Sequence, residues 1–253
     1  MLSQSIRGNS KNDTAISNLD LVPLHYSIML VLTLSMTPIL FLFDIDGTLT
    51  QSVSTYHQVI TNAMQQLGIS NIDTDYDNYK HHTDSYALAY NYKRHFGKEA
   101  SLSLRDQLDD LLAQEMKNHP PVYEISGAQS FLNHLKEQQL PVAFGTGAFP
   151  KATAIKMKDA QLPYEPSVLA TSKTSITREG FVQQAINQAK KHYGIEQFEK
   201  IISFGDGLWD LYTAQNLGLE FVGVGQAKEK ALKQAGCGHW IPNYNGFTSS
   251  QFV

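Results

Sequence analysis

Asp44 and Asp46 stand two residues apart in Phe43-Asp44-Ile45-Asp46-Gly47-Thr48-Leu49-Thr50, directly after the apolar run Ile39-Leu40-Phe41-Leu42. Two carboxylates crowded where a buried strand gives way to a turn repel each other unless a cation or a shared proton relieves them. A second acidic segment, Phe204-Gly205-Asp206-Gly207-Leu208-Trp209-Asp210, follows the apolar run Ile201-Ile202-Ser203. Two strand-end acidic loops in one domain indicate a divalent metal site. Taken singly, Asp206 and Asp210 also read as an N-cap and a first-turn acid of the next helix. A lone Thr in Gly145-Thr146-Gly147 reads as an ordinary turn residue. Asp44 has fewer purely structural uses, because it closes so apolar a strand.

The elements that must position these residues alternate. Apolar runs at Pro141 to Phe144, Ser167 to Ala170, Lys200 to Phe204, Leu219 to Val224 and, more weakly, His239 to Ile241 are separated by helical patterns. Those patterns cover Lys151 to Gln161, Gly180 to Tyr193, Leu208 to Leu217 and Ala227 to Ala235. Near-continuous apolar strands between helices predict an α/β fold, a Rossmann-like parallel sheet with helices on both faces. Chemistry is then expected at the C-terminal strand ends, where both acidic loops and Gly145-Thr146-Gly147 fall.

Residues 53–123 differ. Val53 to Leu67, His82 to Phe96 and Leu102 to Lys117 have helical spacing, with Leu104, Leu108, Leu111 and Leu112 on one stripe. Pro120-Pro121 ends this segment. The expected organisation is a core over 37–52 and 124–253, with residues 53–123 inserted as a helical cap. Residues 1–36 are expected to be a polar, poorly ordered extension or the product of a wrongly chosen start, with Met36 the natural one. Leu21 to Phe43 approaches bilayer-spanning length, but Pro23 and Pro38 interrupt it and its end is needed as a strand. A short apolar stretch from Ile28 to Leu34 lacks a following small-residue cleavage site.

At 253 residues and 42% hydrophobic content the chain can bury a full core. Its formal charge of −4 gives no reason to expect nucleic acid or a membrane as partner. The single cysteine, Cys237, excludes an internal disulfide, reads as a quiet buried thiol, and fits a cytoplasmic location. The His81-His82-Thr83-Asp84 cluster with Tyr86, Tyr90, Tyr92 and Arg94 reads mainly as the solvent face of a helix. Adjacent histidines cannot share one helical face, so a zinc site is not expected there.

Asp44-Ile45-Asp46-Gly47-Thr48, Gly145-Thr146-Gly147 and Gly205-Asp206-Gly207-Leu208-Trp209-Asp210 together resemble the haloacid dehalogenase-like hydrolase superfamily, in motif order and from about Pro38 to the C-terminus. The resemblance implies the phosphatase branch with a helical cap after the first motif. It implies Asp44 as nucleophile and Asp46 as general acid and base, Mg²⁺ as cofactor, and a small phosphorylated metabolite as substrate. Thr48, Thr146 and Gly147 would bind phosphate. Asp44, Asp206 and the backbone carbonyl of Asp46 would hold the metal, with Asp210 supporting them from behind. The family's basic residue is often Lys followed by Pro, a pair missing here between the second and fourth motifs. Arg178 is the preferred candidate and Lys173 the alternative.

Phosphate esters resist nucleophiles because their oxygens are negative, and an ion shared with carboxylates offsets that repulsion. A phosphomutase of the same superfamily is the first rival. A dehalogenase needs no acid such as Asp46, and a catalytically silent binding protein would have no use for Asp44, Asp46 and Asp206. Substrate identity and oligomeric state are not encoded legibly.

Overall fold

The computed structural model describes residues 38–252, so the expectations for residues 1–36 lie outside the described residues. Six strands form one parallel sheet: β1 (Ile39–Phe43), β2 (Val142–Thr146), β3 (Leu169–Thr171), β4 (Lys200–Gly205), β5 (Glu220–Val224) and β6 (His239–Ile241). Their order is β3-β2-β1-β4-β5-β6. Helices α1 (Val53–Gln66), α2 (Asp84–Phe96), α3 (Leu102–Asn118) and α4 (Ala128–Glu137) lie between β1 and β2. Helices α5 (Pro150–Asp159), α6 (Arg178–Tyr193), α7 (Leu208–Leu217) and α8 (Glu229–Gln234) follow β2, β3, β4 and β5 in turn. The fold is α/β and Rossmann-like, with helices on both faces of the sheet.

Strand β1 is central because nearly every residue in it is apolar: Leu40, Phe41, Leu42 and Phe43 are almost completely buried. Each such side chain contributes roughly 1.5–3 kcal/mol on removal from water. Register decides where the chemistry falls. Phe43 lies opposite Phe144 on β2 and Phe204 on β4, and the Phe43 and Phe204 rings stack with centroids 4.6 Å apart. The residues just after that aromatic rung are Asp44, Gly145-Thr146 and Gly205-Asp206, so one register brings all three segments to one level.

The chain enters and leaves the α1–α3 segment side by side. Gln51 N–H donates to Tyr123 O at 2.8 Å, and Ile125 N–H to Leu49 O at 2.8 Å. Helices α1–α3 bury Val59, Ile60, Met64, Leu88, Leu108 and Leu112 together. The same cluster includes Ala148, Phe149 and Ala152 from the turn and helix after β2, so these helices share an apolar seam with the sheet's flank.

Three of the boundaries that differ from the sequence reading have a local cause. Helix α2 starts at Asp84 because Thr83 Oγ1 accepts from Tyr86 N–H at 3.1 Å. His81 and His82 therefore precede the helix, where a helical solvent face was expected. Helix α6 starts at Arg178 because Thr177 Oγ1 accepts from Gly180 N–H at 3.1 Å. Pro166 opens a short 3₁₀ turn, Pro166–Val168, which delays β3 to Leu169.

Candidate active site

A cavity of about 250 Å³ opens over the C-terminal ends of β1, β2 and β4. Its lining includes Asp44, Asp46, Thr146, Gly147, Arg178 and Asp206. Asp44 extends the register of β1, with its N–H donating to Phe204 O at 3.0 Å. Gly47 turns the chain at φ +81°, and a Cβ there would lie 2.4 Å from Asp206 Oδ2. Only glycine lets the two acidic loops approach this closely. Gly147 meets a comparable limit, since a Cβ would lie 2.5 Å from His82 O.

Oxygen atoms of Asp44, Asp206 and Asp210 lie within 4.8 Å of one another. The three carboxylates are not equivalent. Both oxygens of Asp210 are engaged: Oδ1 accepts from Arg178, and Oδ2 accepts from Gly207 N–H at 3.1 Å. Asp210 thus caps α7 and neutralises Arg178 directly. Asp206 has no hydrogen bond or ion pair among the described residues. Burial pushes its carboxyl up to about 7, reinforced by Asp210 and opposed by Lys228 and Arg178. Asp44 is pushed well above the usual carboxylate range by burial and by Asp210, against the pull of Arg178. An unpartnered carboxylate beside a second one, all oxygen and no sulfur or imidazole, is the donor set that suits a hard divalent cation.

Arg178 Nη2 lies 3.3 Å from Asp44 Oδ1, and Nη1 donates to His82 O at 3.1 Å. Its Nε is buried without a partner among the described residues. Lys173 sits elsewhere, paired with Asp106 at 2.8 Å and Asp109 at 3.0 Å on α3. Sequence position alone left these two cations as alternatives; only Arg178 reaches Asp44. Thr146 Oγ1 accepts from Ala148 N–H at 3.1 Å, which leaves its hydroxyl hydrogen available to a ligand oxygen. Thr48 Oγ1 lies 3.4 Å from Asp44 Oδ2.

Three residues absent from the sequence-derived site belong to its surroundings. Lys156 Nζ lies 2.7 Å from both oxygens of Asp46. His82 stacks on Trp209 with centroids 4.2 Å apart, and burial together with Arg178 lowers its imidazole to about 4. Asp84 accepts from Tyr56 Oη–H at 2.5 Å and Phe149 N–H at 2.8 Å. Of the tyrosines expected with them, Tyr86 and Tyr90 pack against Tyr79, and Tyr92 against Phe96. Cys237 is buried, with its thiol pushed up by burial. No helix among the described residues is long and apolar enough to cross a membrane.

Asp84 makes stability depend on pH. Burial raises its carboxyl from the ordinary 3.8 to about 7, despite the bonds from Tyr56 and Phe149 and the charge of Lys156. Between those values the folded chain holds a proton that the unfolded chain has lost. The stabilisation is therefore complete below about pH 4 and lost as pH rises through about 7. Asp84→Asn keeps the acceptor oxygen and removes the titration. Its melting temperature is expected to fall less than that of the wild type from about pH 5 to about pH 8. Parallel melting curves against pH would show that Asp84 carries no such linkage.

A family model for "haloacid dehalogenase-like hydrolase" matches residues 40–218. Among solved structures, a hydrolase from Pseudomonas syringae is 18% identical, with a TM-score of 0.62 over 84% of this chain and 98% of that one. A HAD hydrolase, family IA, variant 3, from Entamoeba histolytica is 16% identical, with a TM-score of 0.61 over 85% and 97%. CbbY from Rhodobacter sphaeroides, solved in complex with phosphate, is 13% identical, with a TM-score of 0.58 over 81% and 94%. At such identities the likeness is one of fold. No curated protein matches the chain.

Proposed function

The chain belongs to the haloacid dehalogenase-like hydrolase family, and from that premise we propose that it is a Mg²⁺-dependent phosphatase acting on small phosphate monoesters. One observation carries the reading: Asp44, Asp46, Asp206, Thr146 and Arg178 line a single cavity. Asp44 attacks phosphorus to give an aspartyl-phosphate, and the alcohol leaves with a proton from Asp46. Asp46 then takes a proton from the water that opens the acyl phosphate. Thr146, the Gly147 backbone and Arg178 hold the phosphate oxygens in line, whereas Thr48, expected from sequence to join them, is fully buried outside the cavity lining and reaches Asp44 instead. Asp44, Asp206 and the Asp46 carbonyl are the groups that would hold Mg²⁺, which when bound offsets the charge between carboxylate and phosphate.

Cavity size supports a small substrate, since about 250 Å³ is on the scale of a single metabolite. Helices α1–α3 serve in this reading as the cap that excludes bulk water. The test is phosphate release from sugar phosphates, phosphoglycolate, nucleotides and para-nitrophenyl phosphate, with Mg²⁺ and then with chelator. Turnover is expected with Mg²⁺, to vanish with EDTA and to return when the ion is restored. An inert protein across that panel would leave a binding protein of the same fold. Isomerised sugar phosphate without free phosphate would point to a mutase.

A further inference from the structure

Lys156 is fully buried, yet it carries an ammonium group and lies on the inward face of α5. Its Nζ lies 2.7 Å from Asp46 Oδ1 and 2.7 Å from Asp46 Oδ2. The same Nζ sits 3.6 Å from the centroid of the Tyr56 ring. Ser52 Oγ also donates to Asp46 Oδ1. Both oxygens of the carboxylate are thereby fixed by groups on two different elements. Asp84 is a buried acid whose carboxyl also feels this lysine, but the direct ion pair of Lys156 is with the partly buried Asp46 alone among the described residues.

Packing does not require such a residue. Desolvating an ammonium is costly, and a methionine of similar length would fill the same space without that cost. What a methionine does not supply is a rigid two-point hold on Asp46. An aspartate on a turn has two free side-chain torsions, and proton transfer demands an oxygen within hydrogen-bond reach of the ester oxygen.

We propose that Lys156 is a positioning residue that sets the Asp46 carboxyl for proton transfer at the ester oxygen. This rests on the phosphatase reading of the same cavity. Its consequence depends on the leaving group. An alkoxide must be protonated as it departs, whereas para-nitrophenolate departs almost unaided. Loss of the Asp46 orientation therefore harms poor leaving groups selectively. A general loss of structure would harm all esters alike.

The experiment compares kcat/KM for benzyl phosphate and para-nitrophenyl phosphate in wild type, Lys156→Met and Lys156→Arg. Each ratio is measured on a single protein preparation, so any unfolded fraction cancels. For Lys156→Met, the benzyl ester is expected to lose about 10²-fold while the nitrophenyl ester changes only a few-fold. Lys156→Arg is expected to recover part of the ratio. Ser52→Ala, a milder disturbance of the same carboxylate, should shift the ratio in the same direction and serves if Lys156→Met does not fold. Equal losses for both esters, or no change in the ratio, would overturn the positioning role and leave the phosphatase reading intact. A wild-type protein inert toward both esters and toward the whole panel of metabolite phosphates would remove that reading, and this inference with it.

Discussion

Asp44→Asn is expected to abolish phosphate release, by at least about a thousandfold in kcat, while leaving the protein as stable as the wild type or more so. The two effects share one cause. Asp44 closes a strand whose side chains are almost completely buried, and its own side chain is only 10% exposed. Ionisation there is opposed by burial and then by Asp210, with Arg178 pulling the other way. A carboxylate so placed is costly to the fold and useful to a reaction that needs a nucleophile beside a cation. Asparagine keeps the shape and removes the charge, so Arg178 retains Asp210 and the crowding with Asp206 ends. A gain of about 0.5–2 kcal/mol is the size seen when such functional strain is relieved. Steady-state phosphate release, denaturant titration and a search for acyl-phosphate-labelled protein check the three parts. Residual turnover near the wild-type rate would exclude Asp44 as nucleophile. A strong loss of stability would mean that its charge is structural.

The sequence disclosed what depends on neighbours along the chain and hid what depends on neighbours across space. Strands β1, β4 and β5 were legible because burial on both faces leaves them almost purely apolar, for example Phe221-Val222-Gly223-Val224. Asp44, Asp46 and Asp206 were legible because each follows such a strand at once. Lys156 was hidden because lysine on a helix ordinarily reads as a solvated charge. The one signal was its spacing: Ala152, Thr153, Lys156 and Met157 form the buried stripe of α5. Arg178 ranks ahead of Lys173 in the sequence without excluding it, since both follow β3 and what separates them is what folds against them. Asp84 reads in sequence as part of a polar cluster, but its burial against Tyr56 and Phe149 depends on contacts from residues 28 and 65 positions away. The solvent-face expectation for that cluster failed at His82 because Thr83, the cap of α2, leaves His82 in the segment leading to the cavity.

Arg178→Met should cost the most stability of any single change at this site. Arg178 is 7% exposed, and its guanidinium serves Asp44, Asp210 and the His82 carbonyl at once. Removing it leaves Asp210, itself 5% exposed, beside Asp44 with no cation in direct contact among the described residues. Breaking a buried ion pair by deleting one partner costs about 3–5 kcal/mol, because the remaining charge stays desolvated. Turnover should fall with it, because Nη2 lies 3.3 Å from Asp44, the proposed nucleophile. Arg178→Lys separates the two effects. One ammonium can neutralise Asp44 or Asp210, but it lacks the planar fork that reaches both and the His82 carbonyl. Its stability should therefore lie between wild type and Arg178→Met, with turnover still strongly reduced. Urea denaturation with kcat and KM for all three proteins gives the comparison. If Lys173→Ala instead costs more turnover than Arg178→Met, then phosphate is steadied from the α3 side, and the 3.3 Å approach of Arg178 to Asp44 serves the fold alone.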